Sequence, residues 1–157
     1  MTTELRCLSV WQPRASALAL GINRYETRAW ATRYREPIAI HAAKRWTGTE
    51  IAFHRSCAAR LRQQGHSMAD QYAVEPLPLG CIVAIADLVA CWRVEEFPYR
   101  LDEAERMFGD FSPGRYAWHF SDMVRLPEPV PCRGHQGLWT LPREVADQVM
   151  NQMGGTA

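Results

Sequence analysis

Apolar and polar positions along the chain fall into strand-like and helix-like stretches. Leu5 to Val10 reads as a short strand. Pro13 then opens and Gly21 closes the run Arg14–Leu20, the Pro-first, Gly-last order of a helix. Arg24 to Arg28 alternates as a strand does, and Pro37 to His41 predicts another. Thr47 and Glu50 form a capping box for a helix over about 49–64, ended by Gly65, with Phe53, Cys57 and Leu61 on one face and Arg55 and Arg62 on a different one. Cys81 to Cys91 is apolar except for Asp87 and rich in β-branched residues, which predicts a long, centrally buried strand. Further on come a short acidic helix at 101–108, strands at 115–124 and 137–141, and a terminal helix at 144–153. Five to seven mostly antiparallel strands with three or four helices between them predict an α+β fold around a small barrel-like sheet. A doubly wound parallel sheet fits less well, because helices do not alternate regularly with strands and no Gly-rich phosphate loop is present.

Composition sets the frame for this reading. With 157 residues, 47% of them apolar and 22% charged, the chain is expected to form a single folded domain over 1–157, with a flexible end at about 152–157. The stretch Glu75–Gly80 reads as a crossover within that domain. No membrane-length apolar run and no signal-peptide order are present, so a cytoplasmic location is expected. Five widely spaced cysteines without a CxxC point to reduced, structural thiols, and no histidine grouping has ligand spacing, so neither metal nor cofactor is expected.

The net charge of +1 conceals an asymmetry: residues 1–62 hold eleven Arg/Lys against four Asp/Glu, and residues 63–157 hold seven against thirteen. A basic first half predicts an anionic partner, most simply RNA or single-stranded DNA; the alternative is that the halves neutralise each other across the fold. The densest chemistry lies between Gly21 and Trp46, where basic and aromatic residues interleave. Arg24, Arg28, Arg33, Arg35, Lys44 and Arg45, with Arg55 on the following helix, could neutralise phosphates, while Trp30 could stack a base. Glu26 and Arg28, two apart on a strand, should share a face and pair, orienting the guanidinium. Arg115 and Tyr116, beside a Gly-Asp loop, could wall the same cleft. Trp118 and Trp139 read as core.

Several segments carry a family resemblance. Leu8-Ser9-Val10-Trp11-Gln12-Pro13, Gly21-x-x-x-x-Glu26-x-Arg28-x-Trp30, His41-Ala42-Ala43-Lys44, Leu79-Gly80-Cys81, Gly109-Asp110 with Gly114-Arg115-Tyr116-Ala117-Trp118, and Gly134-x-x-Gly137-Leu138-Trp139 stand in an order similar to the ASCH (activating signal cointegrator homology) domain, a branch of the PUA-like superfamily. The resemblance implies a small β-barrel flanked by helices, with a cleft for RNA or DNA. Two positions depart from it: the signature lysine falls on Asn23, and an aromatic falls on Arg14. Related acetylcytidine amidohydrolases look to rely on a Lys and a Thr where this chain has Asn23 and Glu26, so that hydrolysis is disfavoured.

The expected function is therefore single-stranded nucleic-acid binding, RNA before DNA, through a basic cleft built mainly from residues 24–62. A second expectation is a metal-independent ribonuclease in the same cleft, with His41, Lys44 and Tyr25 as its proton-transfer and charge-stabilising groups. A third is a protein-interaction adaptor, in which the acidic segment 102–110 meets a basic partner.

Overall fold

The computed structural model describes residues 4–154, so the end expected to be flexible lies partly outside the described residues. The described chain runs β1 (Arg6–Val10), α1 (Arg14–Ala19), β2 (Tyr25–Arg28), β3 (Pro37–Ala42), α2 (Gly48–Gln63), α3 (Ala69–Ala73), β4 (Cys81–Arg93), α4 (Glu103–Phe108), β5 (Tyr116–Pro131), β6 (Leu138–Thr140) and α5 (Arg143–Gln152). Among the described residues α-helices number five rather than three or four, because the five-residue α3 is too short to show a helical period. The capping box at the start of α2 is present: Glu50 Oε1 accepts the Thr47 backbone N–H at 2.8 Å. Among the described residues no helix is long and apolar enough to cross a membrane.

The six strands form one curled sheet in the order β2-β5-β4-β3-β1-β6, with β1 and β3 parallel and every other pair antiparallel. Its curl comes from the long β4–β5 ribbon, whose register shifts between Ile82 and Ala84, Ile85 and Asp87, and Leu88 and Ala90. Each such bulge bends the strand and adds twist. The curl carries β2 round toward β1, where Arg28 Nη2 donates to the Ser9 carbonyl at 2.6 Å. One side chain thus bridges the first and fifth strands of the sheet.

Strand alternation sorts the core. Leu8, Val10, Ile38, Ile40, Leu88 and Trp118 pack on one face of the sheet, under α1. Cys7, Ala39, Ile82 and Trp139 lie on the opposite face with Val149 of α5. A third cluster joins Ala17 to Leu61, Tyr72 and Phe108 of the helical layer. Trp118 and Trp139 are both buried, as core aromatics should be.

Helix α4 docks on the start of β2 through Glu105, whose Oε2 accepts the Arg24 backbone N–H at 2.7 Å while Oε1 is buried without a partner. Burial pushes this carboxyl up to about 7 from an ordinary 4.5. The folded state then holds the Glu105 proton more tightly than the unfolded chain. Stability from this group is full below about pH 4.5 and is lost as pH rises to about 7, with a magnitude on the order of 3 kcal/mol. Burial lowers His41, His54 and His119, which work in the opposite direction. A difference measurement isolates the carboxyl: Glu105→Gln should gain stability over the parent progressively from pH 5 to 7.5 in denaturant unfolding. A difference that stays flat with pH would contradict this assignment.

Candidate nucleic-acid interface

Two cavities meet at the C-terminal end of β1, sharing Ser9 and Trp11 as their common border. Parallel pairing sets Ser9 beside His41 on one face of the sheet. The larger cavity, about 730 Å³, includes Ser9, His41, Lys44, Arg133, Gly134 and His135 in its lining. Within it His41 is almost fully buried and held at both ring nitrogens: Nε2 lies 2.8 Å from the Cys132 carbonyl and Nδ1 lies 3.1 Å from Ser9 Oγ. A carbonyl can only accept, so Nε2 carries the proton, and in the neutral ring Nδ1 accepts from the Ser9 hydroxyl. Burial lowers the His41 pKa, reinforced by nearby His135 and Lys44 and opposed by the Cys132 carbonyl, so the neutral ring is favoured. Trp139 Nε1 donates to the same Ser9 oxygen at 3.2 Å. A Cβ added at Gly134 would sit 2.5 Å from His41 Cε1 and 3.0 Å from Ser9 Oγ, so glycine is what lets this loop pack so closely beside the pair.

The smaller cavity, about 350 Å³, gathers Arg14, Arg28 and Arg115 against Glu26 and Asp110. Each arginine is anchored on a backbone carbonyl: Arg14 Nε on Phe108 at 2.9 Å, Arg28 Nη2 on Ser9, and Arg115 on Asp110 and Thr27 at 3.0 and 3.1 Å. Arg28 also pairs with Glu26 at 3.0 Å, which confirms the i, i+2 pairing expected on β2. These anchors fix the forks in place and leave further N–H donors on each guanidinium. On the shared border Trp11 is 53% exposed, and the Arg45 guanidinium lies 4.4 Å from its ring centre. Across the whole groove, Arg14, Arg28, Lys44, Arg115 and Arg133 outnumber the carboxylates of Glu26 and Asp110. The surface is therefore cationic around one exposed aromatic ring.

The structure brings together only part of the expected set. Glu26, Arg28, Lys44 and Arg115 line the groove, His41 lies on its floor, and Arg45 backs Trp11. Tyr25, one residue from Glu26, projects from the opposite face of β2 and is buried against Phe97, Tyr99 and His119, away from His41 and Lys44. Arg24 lines a different cavity with Asn23 and His119. Arg33 and Arg35 are exposed on the β2–β3 loop, where Arg35 turns back onto the Thr32 and Tyr34 carbonyls. In the same loop, Trp30 packs edge-on to Trp118 and accepts that residue's indole N–H at its carbonyl. Tyr116 packs against the core. Arg55 lies outside both cavities and pairs with Glu75 at 3.3 Å, while Arg60 and Arg62 pair with Glu103 and Asp70. On α2, then, the basic first half does neutralise acids of the second.

Most residues lining the two cavities lie outside 24–62. Ser9, Trp11, Arg14, Arg133 and His135 complete the groove, and the sequence reading did not place them there. Trp11 and Gly134 stood in recognised segments, but residue type alone does not tell an exposed indole from a core one. Asn23 is buried, with its amide donating to the Tyr25 carbonyl at 3.1 Å, and Glu26 is held by Arg28.

Comparison with known proteins agrees with this architecture. The chain is 26% identical to activating signal cointegrator 1 of Homo sapiens over 140 residues, and equally so to the Mus musculus protein; the match covers 88% of this chain but only 22% of either relative. The fold is similar to the crystal structure of ASCH from Zymomonas mobilis, with a TM-score of 0.52, 14% identity and 93% of each chain covered. A tyrosine-to-phenylalanine mutant of that Zymomonas mobilis protein aligns with the same TM-score and identity over 95% of this chain and 98% of its own. These structural likenesses concern the fold alone, a half-barrel of the PUA-like type. The family model for the ASCH domain matches residues 8–128, well over half of the sequence, and the chain belongs to the ASCH domain family.

Proposed function

We propose that the groove binds single-stranded nucleic acid, RNA before DNA, with phosphates on the arginine cavity and a base on Trp11. The observation that carries this reading is the convergence of three carbonyl-anchored arginines beside an indole that is 53% exposed. Fixed guanidinium forks suit phosphate oxygens, and a ring free to stack needs an unpaired base, which a duplex does not offer. The ASCH family is generally linked to nucleic-acid binding, which supports the same reading. The acidic segment offers less to a basic protein partner: Asp102 caps α4, Glu103 pairs with Arg60, Glu105 is buried and Asp110 faces Arg115.

The test is the stacking platform. Trp11→Ala should weaken binding of a fluorescently labelled single-stranded oligoribonucleotide by about 1–3 kcal/mol, roughly 5- to 150-fold, while Trp11→Phe keeps most of the affinity. Unchanged affinity in the alanine variant would remove Trp11 from the interface.

A further inference from the structure

We infer that Ser9 and His41 form a nucleophile–base pair that hydrolyses a carboxylic ester on a phosphate-bearing carrier. Three features carry this. Ser9 Oγ reaches His41 Nδ1 at 3.1 Å, and the Cys132 carbonyl, 2.8 Å from Nε2, fixes the tautomer in which Nδ1 is free to take a proton. Base, nucleophile and an orienting third group are the arrangement that activates a hydroxyl. The Trp139 indole N–H, 3.2 Å from the same oxygen, holds the hydroxyl rotamer and leaves one lone pair for attack. Ser9 also borders both cavities, so an ester seated over it has cationic side chains on either side, Lys44 and Arg133 in one cavity and Arg28 and Arg115 in the other. The phosphate-bearing carrier rests on the binding reading above; the nucleophile does not.

The step balances without a further reactant. Ser9 Oγ bonds to the carbonyl carbon as its proton passes to His41 Nδ1, the bond from carbon to the leaving oxygen breaks, and that oxygen takes the proton from His41. Water then attacks the acyl-serine, giving its proton to His41, which returns it to Ser9 Oγ as the acid leaves. The net reaction is ester plus water to acid plus alcohol. In this role His41 exchanges every proton at Nδ1, the nitrogen beside Ser9, since its other nitrogen is committed to the Cys132 carbonyl. The groups around it are Lys44 after β3 and Cys132, Arg133 and His135 of the 132–137 loop. Its base form is lost as pH falls below the ordinary histidine range.

The probe is a biotinylated alkyl fluorophosphonate applied to the full chain without nucleic acid. Activated Ser9 should bond to phosphorus and expel fluoride, giving one adduct that peptide mass spectrometry maps to Ser9. Ser9→Ala should abolish the adduct, and His41→Gln should slow labelling about 100-fold or more, with thermal melts confirming that both variants fold. The parent's labelling rate should fall as acid protonates His41. An excess of adenosine monophosphate should slow labelling by occupying the cationic cavities. No adduct on a cooperatively melting parent, an adduct elsewhere, or a rate insensitive to His41→Gln overturns the nucleophile. Labelling unaffected by adenosine monophosphate overturns the phosphate-bearing carrier. Because the readout needs no bound nucleic acid, its failure is distinguishable from failure of the binding reading.

Discussion

Replacing Arg28 with alanine should lower the stability of the fold by about 3 kcal/mol, because the substitution leaves the Glu26 carboxylate buried without its cation. Glu26 is only 6% exposed, and its ion pair with Arg28 spans 3.0 Å. The same guanidinium donates to the Ser9 carbonyl at 2.6 Å, in a sheet where β6 pairs only with Arg6, Cys7 and Leu8 of β1. Removing it therefore also releases β2 from β1, the contact across which the sheet curls. For a chain of this size the melting temperature should fall by roughly 6–12 °C. Adding Glu26→Gln to Arg28→Ala should recover part of the loss, since no unpaired charge is then buried, and that recovery separates charge burial from the lost bridge. An Arg28→Ala protein within about 0.5 kcal/mol of the parent would show that the pair does not hold the strands together.

The fold was legible wherever one residue pattern implied one environment. The apolar run from Cys81 became the long central strand, ending at Arg93, and Thr47 with Glu50 marked the start of α2 to within a residue. β5 runs further than the strand expected over 115–124, through Pro127 and Pro129 to Pro131. They are accommodated where the β4–β5 register shifts, between the Ala84–Arg125 and Ile82–Val130 pairs. Such tolerance depends on the partner strand and is not visible in the segment itself.

The site was legible only in part, for two geometric reasons. Basic and aromatic residues contiguous in sequence were separated by the period of β2, which sends Tyr25 to one face and Glu26 with Arg28 to the other. Conversely, the groove joins segments more than a hundred residues apart: the end of β1, the segment leading into β5 and the loop before β6. His41 stood out as a titratable residue, but nothing in the segment around Ser9 marks it as the partner until the parallel register of β1 and β3 sets the two side by side. The charge asymmetry was similarly mixed in meaning. Arg14 and Arg28 face the groove, whereas Arg55, Arg60 and Arg62 are spent on ion pairs along α2.

The salt dependence of binding tests the central claim most directly. If Arg14, Arg28 and Arg115 each neutralise one phosphate, log affinity for a labelled single-stranded oligoribonucleotide should fall linearly with log salt at a slope of about −2, from roughly 0.7 per contact on a single strand. Between 50 and 200 mM salt that slope amounts to a loss of roughly twenty-fold. Arg115→Ala should flatten the slope by about 0.7 and weaken binding to all sequences alike, since a phosphate contact carries no base information. A duplex of the same sequence should compete poorly, because its bases cannot reach Trp11. A slope near zero, a slope unchanged by Arg115→Ala, or no binding at 50 mM salt would contradict the account.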